Sequence, residues 1–291
     1  MKPHFLTILL VTLLPFTGFA AGFKGAVDFS AEEKAAHSRH IGTIAKVARK
    51  HLEKVWDEHL AFYRKNGVSK FYGDRNLSLN TRSKRIDALR QAGAPPSLVD
   101  QLQPTSCVGL TLESLGAGFR APGDPHLVQA WGKIVQFARA NALDGCSVLH
   151  ALQKLGWKIH YWNPRPQDNE RWDREDGNRL SRGWHAYRYL TVNRSSTYYF
   201  NKVDDKTLLV GFDTQVPAAF RRVPYFVGIA HTGYHVFPGF TGDVIEAHST
   251  RKLNSIDNLE KSPFNPLANG GGPRWTSSEK YRSGLIGVPP L

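Results

Sequence analysis

Pro104-Thr105-Ser106-Cys107-Val108-Gly109-Leu110-Thr111-Leu112-Glu113-Ser114-Leu115-Gly116 is the stretch from which the fold is read. Val108, Leu112 and Leu115 recur at helical spacing, Pro104 and Thr105 are start signals, and Gly116 is a stop. The pattern predicts a short, mostly apolar helix with Cys107 in its first turn. There the helix-end N–H groups and the positive end of the dipole favour thiolate over thiol. Cys107 and Cys146 are the only cysteines in 291 residues. Two are too few for a disulfide scaffold, so a thiol at a helix start calls for a chemical reading.

The second informative run is Tyr234-His235-Val236-Phe237-Pro238-Gly239-Phe240-Thr241-Gly242-Asp243-Val244-Ile245-Glu246-Ala247-His248-Ser249. It reads as strand, Pro/Gly turn, strand. Such a hairpin can hold His235 beside Glu246, because facing residues lie about 5 Å apart. A neutral imidazole near a helix-end thiol can take its proton, and a polar partner fixes the ring's tautomer and steadies the imidazolium. On that reading Cys107 is the nucleophile, His235 the base and Glu246 the orienting group. The oxyanion would be expected at the backbone N–H of Cys107.

The two runs resemble the NlpC/P60 group of papain-like cysteine peptidases. Ser106-Cys107-Val108-Gly109-Leu110 is similar to the Asp-Cys-Ser-Gly-Leu stretch that opens the family's cysteine helix. His235-Val236, followed by Gly242-Asp243-Val244-Ile245-Glu246-Ala247, is similar to its histidine strand, turn and next strand. Ser106 stands where the family has Asp, and Phe237-Pro238-Gly239 replaces its Gly-Ile-Tyr. The resemblance implies a papain-like fold and the same three roles for Cys107, His235 and Glu246. It also implies cleavage of peptide bonds in the stem of bacterial peptidoglycan.

Rivals stand inside this reading. His231, followed by Thr232-Gly233, is an alternative base, and His248 shares the strand face of Glu246. Cys146 also opens a helix, after Asp144-Gly145, but has no Gly two residues on. The same Cys/His pair serves transglutaminase or acyltransferase chemistry, which differs only in what attacks the thioester. A non-enzymatic envelope-binding protein with a Cys107–Cys146 disulfide, which export permits, is the third possibility.

Around these runs the chain organises as α+β. Ser30-Ala31-Glu32-Glu33 is a capping box for a long helix with Ile41, Ile44, Ala48, Leu52, Val55 and Tyr63 on its apolar stripe, ending near Asn66-Gly67. His37, His40, His51 and His59 lie along it without the i, i+4 spacing of a zinc site and are read as solvated. Short helices are expected at 81–91 and 97–101. Asp124-Pro125 opens another, and a further one runs from Cys146 to Gly156. Residues 157–162 read as a strand and 163–183 as a polar surface loop. Strands are expected at 187–192, 197–200, 207–212, 225–230, 234–237 and 243–248. Helices first and an antiparallel sheet afterwards means α+β.

The first twenty residues read as an export signal: Lys2, an apolar run from Phe5 to Phe16, then Gly18-Phe19-Ala20. The expected divisions are a signal peptide at 1–20, a helical region at 21–103, a papain-like domain at 104–262 and a loop-rich tail at 263–291. Lys+Arg number 38 against 25 Asp+Glu, a net charge of +13. An exported protein of that charge is drawn to peptidoglycan or another anionic envelope polymer. The basic residues are scattered and carry no zinc-finger or RNA-binding motif, so nucleic acid is not expected. No phosphate-loop Lys-Ser/Thr follows the glycine runs, and no Cys/His set has zinc spacing, so neither cofactor nor metal is expected. Stable membrane insertion is not expected either.

Overall fold

Ser30 starts the first helix with a reciprocal pair of hydrogen bonds. Its Oγ accepts the Glu33 N–H at 3.2 Å while the Glu33 carboxylate accepts the Ser30 N–H at 2.7 Å. α1 runs Ala31–Asn66 and closes at Gly67, whose φ of 67° lets its N–H reach the Tyr63 carbonyl at 2.8 Å. The computed structural model describes residues 24–73, 82–91, 93–141, 143, 145–162, 223–230, 236–241, 243–247, 259–263 and 284–291. The expected signal peptide, the 163–183 loop and the expected strands at 187–192, 197–200 and 207–212 lie outside them.

After α1 come β1 (Phe71–Gly73), α2 (Arg82–Gln91), a 3-10 turn (Val99–Gln101) and β2 (Gln103–Thr105). α3 (Cys107–Arg120), α4 (Pro125–Ala140) and α5 (Gly145–Lys154) follow. The strands β3 (Lys158–Trp162), β4 (Phe226–Ala230), β5 (Val236–Phe240), β6 (Asp243–Ala247), β7 (Leu259–Pro263) and β8 (Gly284–Val288) complete the described chain. β1 and β2 pair in parallel. The other six form one antiparallel sheet in the order β3-β8-β4-β5-β6-β7. The architecture is α+β.

Strand alternation divides the sheet. Val227, Ile229, Val236, Phe240, Ile245 and Ala247 join one core with Ile44 of α1, Leu115 of α3, Ile134 of α4 and Leu149 of α5. Phe226, Phe237 and Val244 alternate with them and are also buried, with the rings of Phe226 and Phe237 edge to face at 6.4 Å. The helices therefore cover one face of the sheet. α1 belongs to the same core as α3, so the 103/104 division does not mark a gap between two cores. α2 and the 3-10 turn gather a smaller cluster of Leu89, Ala94, Val99 and Leu102.

Three expectations are corrected. Gly116 does not end the cysteine helix; α3 continues to Arg120, and Gly116 and Gly118 are points of close helix contact. A Cβ at Gly116 would sit 2.9 Å from the Trp131 ring, and one at Gly118 would sit 2.5 Å from the Ile44 carbonyl oxygen. His37 and His59 are buried, not solvated, because they fall in phase with Ile41, Ile44, Leu52 and Val55 on the inward stripe of α1. Pro238-Gly239 lies within β5, and the reversal comes after it, at Thr241 with φ 46°. Within the tail expected to be loop-rich, β8 pairs with both β3 and β4 inside the sheet.

Two measurements follow from this packing. Gly118→Ala should destabilise the protein by about 1–3 kcal/mol, because the obstructing atom is backbone and cannot swing aside. Gly42, exposed on α1 with open space around it, gives the contrast. Gly42→Ala should stabilise by up to about 1 kcal/mol, both changes being read by urea denaturation. His37 tests the core by pH. Its Nε2 accepts the Trp157 indole N–H at 3.0 Å, and burial lowers its pKa from 6.5 to about 4, the Leu155 carbonyl working the other way. The unfolded imidazole takes a proton as pH falls through 6.5, while the folded one stays neutral until about 4. Stability is therefore complete above pH 6.5 and falls towards pH 4 by about 3 kcal/mol from this residue. In urea denaturation at pH 7 and pH 4.5, His37→Gln should lose about 2 kcal/mol less on acidification than the parent.

Candidate active site

The parallel ladder of β1 and β2 leads the chain into the cysteine helix. Phe71 pairs with Gln103 and Gly73 with Thr105, and the Gln103 N–H donates to the Lys70 carbonyl at 2.9 Å. Residues just beyond α1 thus fix the backbone two positions before Cys107. Thr105 is buried, and Ser106 then turns the chain into α3.

Ser106 is the N-cap. Its backbone is extended (φ −139°, ψ 168°), its Oγ accepts the Gly109 N–H at 3.0 Å and its carbonyl accepts the Leu110 N–H at 2.8 Å. Cys107 is the first residue of α3, half-buried and packed against the main core. The expected placement of the thiol in the first helical turn is what the structure shows. One turn on, the Thr111 hydroxyl donates to the Cys107 carbonyl at 2.9 Å. Ser114 Oγ lies 3.0 Å from the Thr111 carbonyl oxygen and 2.8 Å from the Tyr225 hydroxyl at the foot of β4. Thr111, Ser114 and Tyr225 are all fully buried. Burial raises the Tyr225 phenol well above its ordinary pKa, its bond to Ser114 acting weakly against that.

The other expected members are placed less completely. His235 lies outside the described residues, immediately before β5, as do His231 and His248. β4 and β5 are adjacent, with Ile229 opposite Val236, so residues 231–235 connect their facing ends. Glu246 is within β6, where Gly239 pairs with Val244 and Phe240 with Asp243. Continued along the two strands, that register would set position 246 opposite Phe237. Ile245 and Ala247 on either side join the core beneath the helices, so position 246 alternates onto the opposite face. The backbone of Cys146 is second in α5, and the preceding Gly145 abuts Val236 and Ile229, so α5 also starts over this end of β4 and β5. Among the described residues, no group of three or more His, Cys, Asp or Glu is set to hold a metal.

Compared with protein-family models, curated proteins and solved structures, the chain gives no match.

Ser106, Thr111, Ser114 and Tyr225 escaped the sequence reading. For Thr111 and Ser114 the signal was a polar line with Cys107, at i, i+4 and i+7 on a mostly apolar helix. Removing the cap is testable on its own. Ser106→Ala should cost about 1 kcal/mol of stability in urea denaturation, while Ser106→Asp, an equally good cap, should keep most of it.

Proposed function

We propose that this protein is an exported cysteine peptidase or amidase of papain-like, NlpC/P60 type that hydrolyses peptide bonds of bacterial cell-wall peptidoglycan. The observation that carries the reading is a half-buried cysteine as first residue of a capped helix laid against β5, the strand that residues 231–235 introduce. The departure from the family's Asp before the cysteine is mild in physical terms, since Ser and Asp are both strong N-caps. Lengths support the pairing as well. From Ser114, held at Tyr225, back to Cys107 is about 10 Å of helix, and from Tyr225 to Ile229 is about 13 Å of strand. The proposal takes α3 to run antiparallel to β4, which would bring the thiol level with the segment 231–235 that carries His231 and His235. The net charge of +13 suits an anionic polymer.

In this reading the Cys107 thiolate attacks the amide carbonyl carbon and a C–S bond forms. Helix-end N–H groups hold the resulting oxyanion. His235, protonated by the thiol, gives its proton to the leaving nitrogen as the C–N bond breaks. The same imidazole then takes a proton from water, whose oxygen attacks the thioester; the acid leaves and the thiol is restored. Glu246 stays the orienting group of the Cys107–His235 pair in this proposal, with His231 as rival base and His248 as rival third member.

The experiment is digestion of purified peptidoglycan by the secreted protein and by Cys107→Ala, Cys146→Ala, His235→Ala and His231→Ala. Cys107→Ala and His235→Ala should each lose at least about a thousandfold in rate, while the other two keep activity. Product masses should show addition of water; joined substrates would make the enzyme a transferase instead. Undiminished cleavage by Cys107→Ala ends the proposal. Loss in His231→Ala with activity kept in His235→Ala reassigns the base.

A further inference from the structure

We propose that Tyr225 is a positioning residue for Cys107, acting through Ser114 and Thr111 to tie the cysteine's own peptide to the foot of β4. The inference rests on the reading of Cys107 as nucleophile and adds residues that neither the sequence motifs nor that reading assign.

The direction of the hydrogen bonds follows from counting protons. Ser114 Oγ carries one hydrogen and lies 3.0 Å from the Thr111 carbonyl oxygen, which can only accept. Ser114 spends its proton there, so the bond of 2.8 Å between Ser114 and Tyr225 has the phenol as donor. The Thr111 hydroxyl in turn donates to the Cys107 carbonyl at 2.9 Å. The chain of donors runs Tyr225 to Ser114, Ser114 to the Thr111 peptide, and the Thr111 side chain to the Cys107 peptide. Positions 107, 111 and 114 share one helix face, so these bonds form a line up α3. Every hydroxyl in the line is buried, so no solvent competes for it. The phenol stays protonated at every working pH, which makes it a constant donor.

What the line supplies is direction. An apolar helix on an apolar sheet is held by area, and area is nearly indifferent to a small roll or slide. A directional bond across 111 residues of sequence is not indifferent. The two bonds inside α3 move with the helix, and the bond to Tyr225 refers them to the sheet. A roll of the helix moves the thiol relative to the β4–β5 connection, and an error of about 1 Å in such a pair costs about a hundredfold in rate.

Tyr225→Phe deletes one oxygen and keeps the ring. The readouts are the pH profile of Cys107 alkylation by iodoacetamide, in a Cys146→Ala background, and kcat and KM on peptidoglycan fragments. In the parent the alkylation profile should rise well below the ordinary thiol value of about 8.5, as for a thiol paired with an imidazole. Tyr225→Phe should move that rise towards 8.5 and lower kcat about tenfold or more with KM unchanged. Ser114→Ala, which removes the hydroxyl that meets Tyr225 and keeps a good helix former, should do the same and serves if Tyr225→Phe fails to fold. The double variant should be little worse than either single one, because both break one line. A melting temperature lowered in both variants with profile and kcat unmoved makes the line merely structural and overturns the proposal. A parent profile rising only at the ordinary thiol value overturns the reading of Cys107 as nucleophile, and positioning with it.

Discussion

Nine of the fourteen residues of helix α3 are buried, and that enclosure governs the rest of the molecule. Ile44 of α1 lies against it at Gly118, Trp131 of α4 at Gly116, and Tyr225 of β4 at Ser114. A helix pressed on several sides cannot keep bulky residues where neighbouring backbones touch it, hence the two glycines in its second half. Nor can it leave hydroxyls unbonded, because no water reaches them. Thr111 and Ser114 accordingly satisfy themselves against carbonyls of their own helix and against Tyr225. The enclosure relaxes at exposed Glu113 and Arg120 and at the start of α3. Cys107 and Ser106 are half-buried, while Leu110, Leu115 and Phe119 further along are sealed.

The amino-terminal helix belongs to this enclosure. α1 contributes Ile44, Ala48 and Leu52 to the core that α3 shares with the sheet, and the segment beyond its end pairs with the strand leading to Cys107. α4 is bound to α1 through Lys133, whose ammonium reaches the buried Glu33 carboxylate at 2.7 Å. Glu33 thus serves twice, closing the capping box at Ser30 and holding the next layer. Any displacement of α1 would disturb both the flank of α3 and the entry to it.

Local rules made the helices legible: the capping box at Ser30, the Asp124-Pro125 start of α4 and the stripe of α1 each depend on residues within a few positions. What depended on partners was not legible. Gly116 reads as a helix stop only until Trp131 is known to need its space. His37 and His59 share the phase of the apolar stripe, and treating imidazole as polar hid it; burial with an indole N–H or aromatic neighbours makes them core residues. β8, Gly-Leu-Ile-Gly-Val, is short and glycine-rich, and Gly287 is there because Leu149 of α5 approaches it within 2.5 Å of where a Cβ would be. The cysteine helix could be read because its start is local. The extent of β5 could not, because Pro238-Gly239 drew the turn too early and the reversal falls at Thr241.

Alternation also constrains where help for a thiol at the start of α3 can come from. A strand presents every second residue to the helical layer, and on β4, β5 and β6 those positions are filled by Val227, Ile229, Val236, Phe240, Ile245 and Ala247. Apolar side chains are what hold the layers together, so a polar partner in mid-strand on that face would weaken the same packing that positions α3. Strand ends and connections escape this conflict, because alternation lapses there and water can reach them. The segment 231–235 between β4 and β5, outside the described residues, carries His231 and His235, and the start of α5 lies over the adjoining Ile229 and Val236. In the proposed reading, a base drawn from that segment leaves these apolar positions as they are.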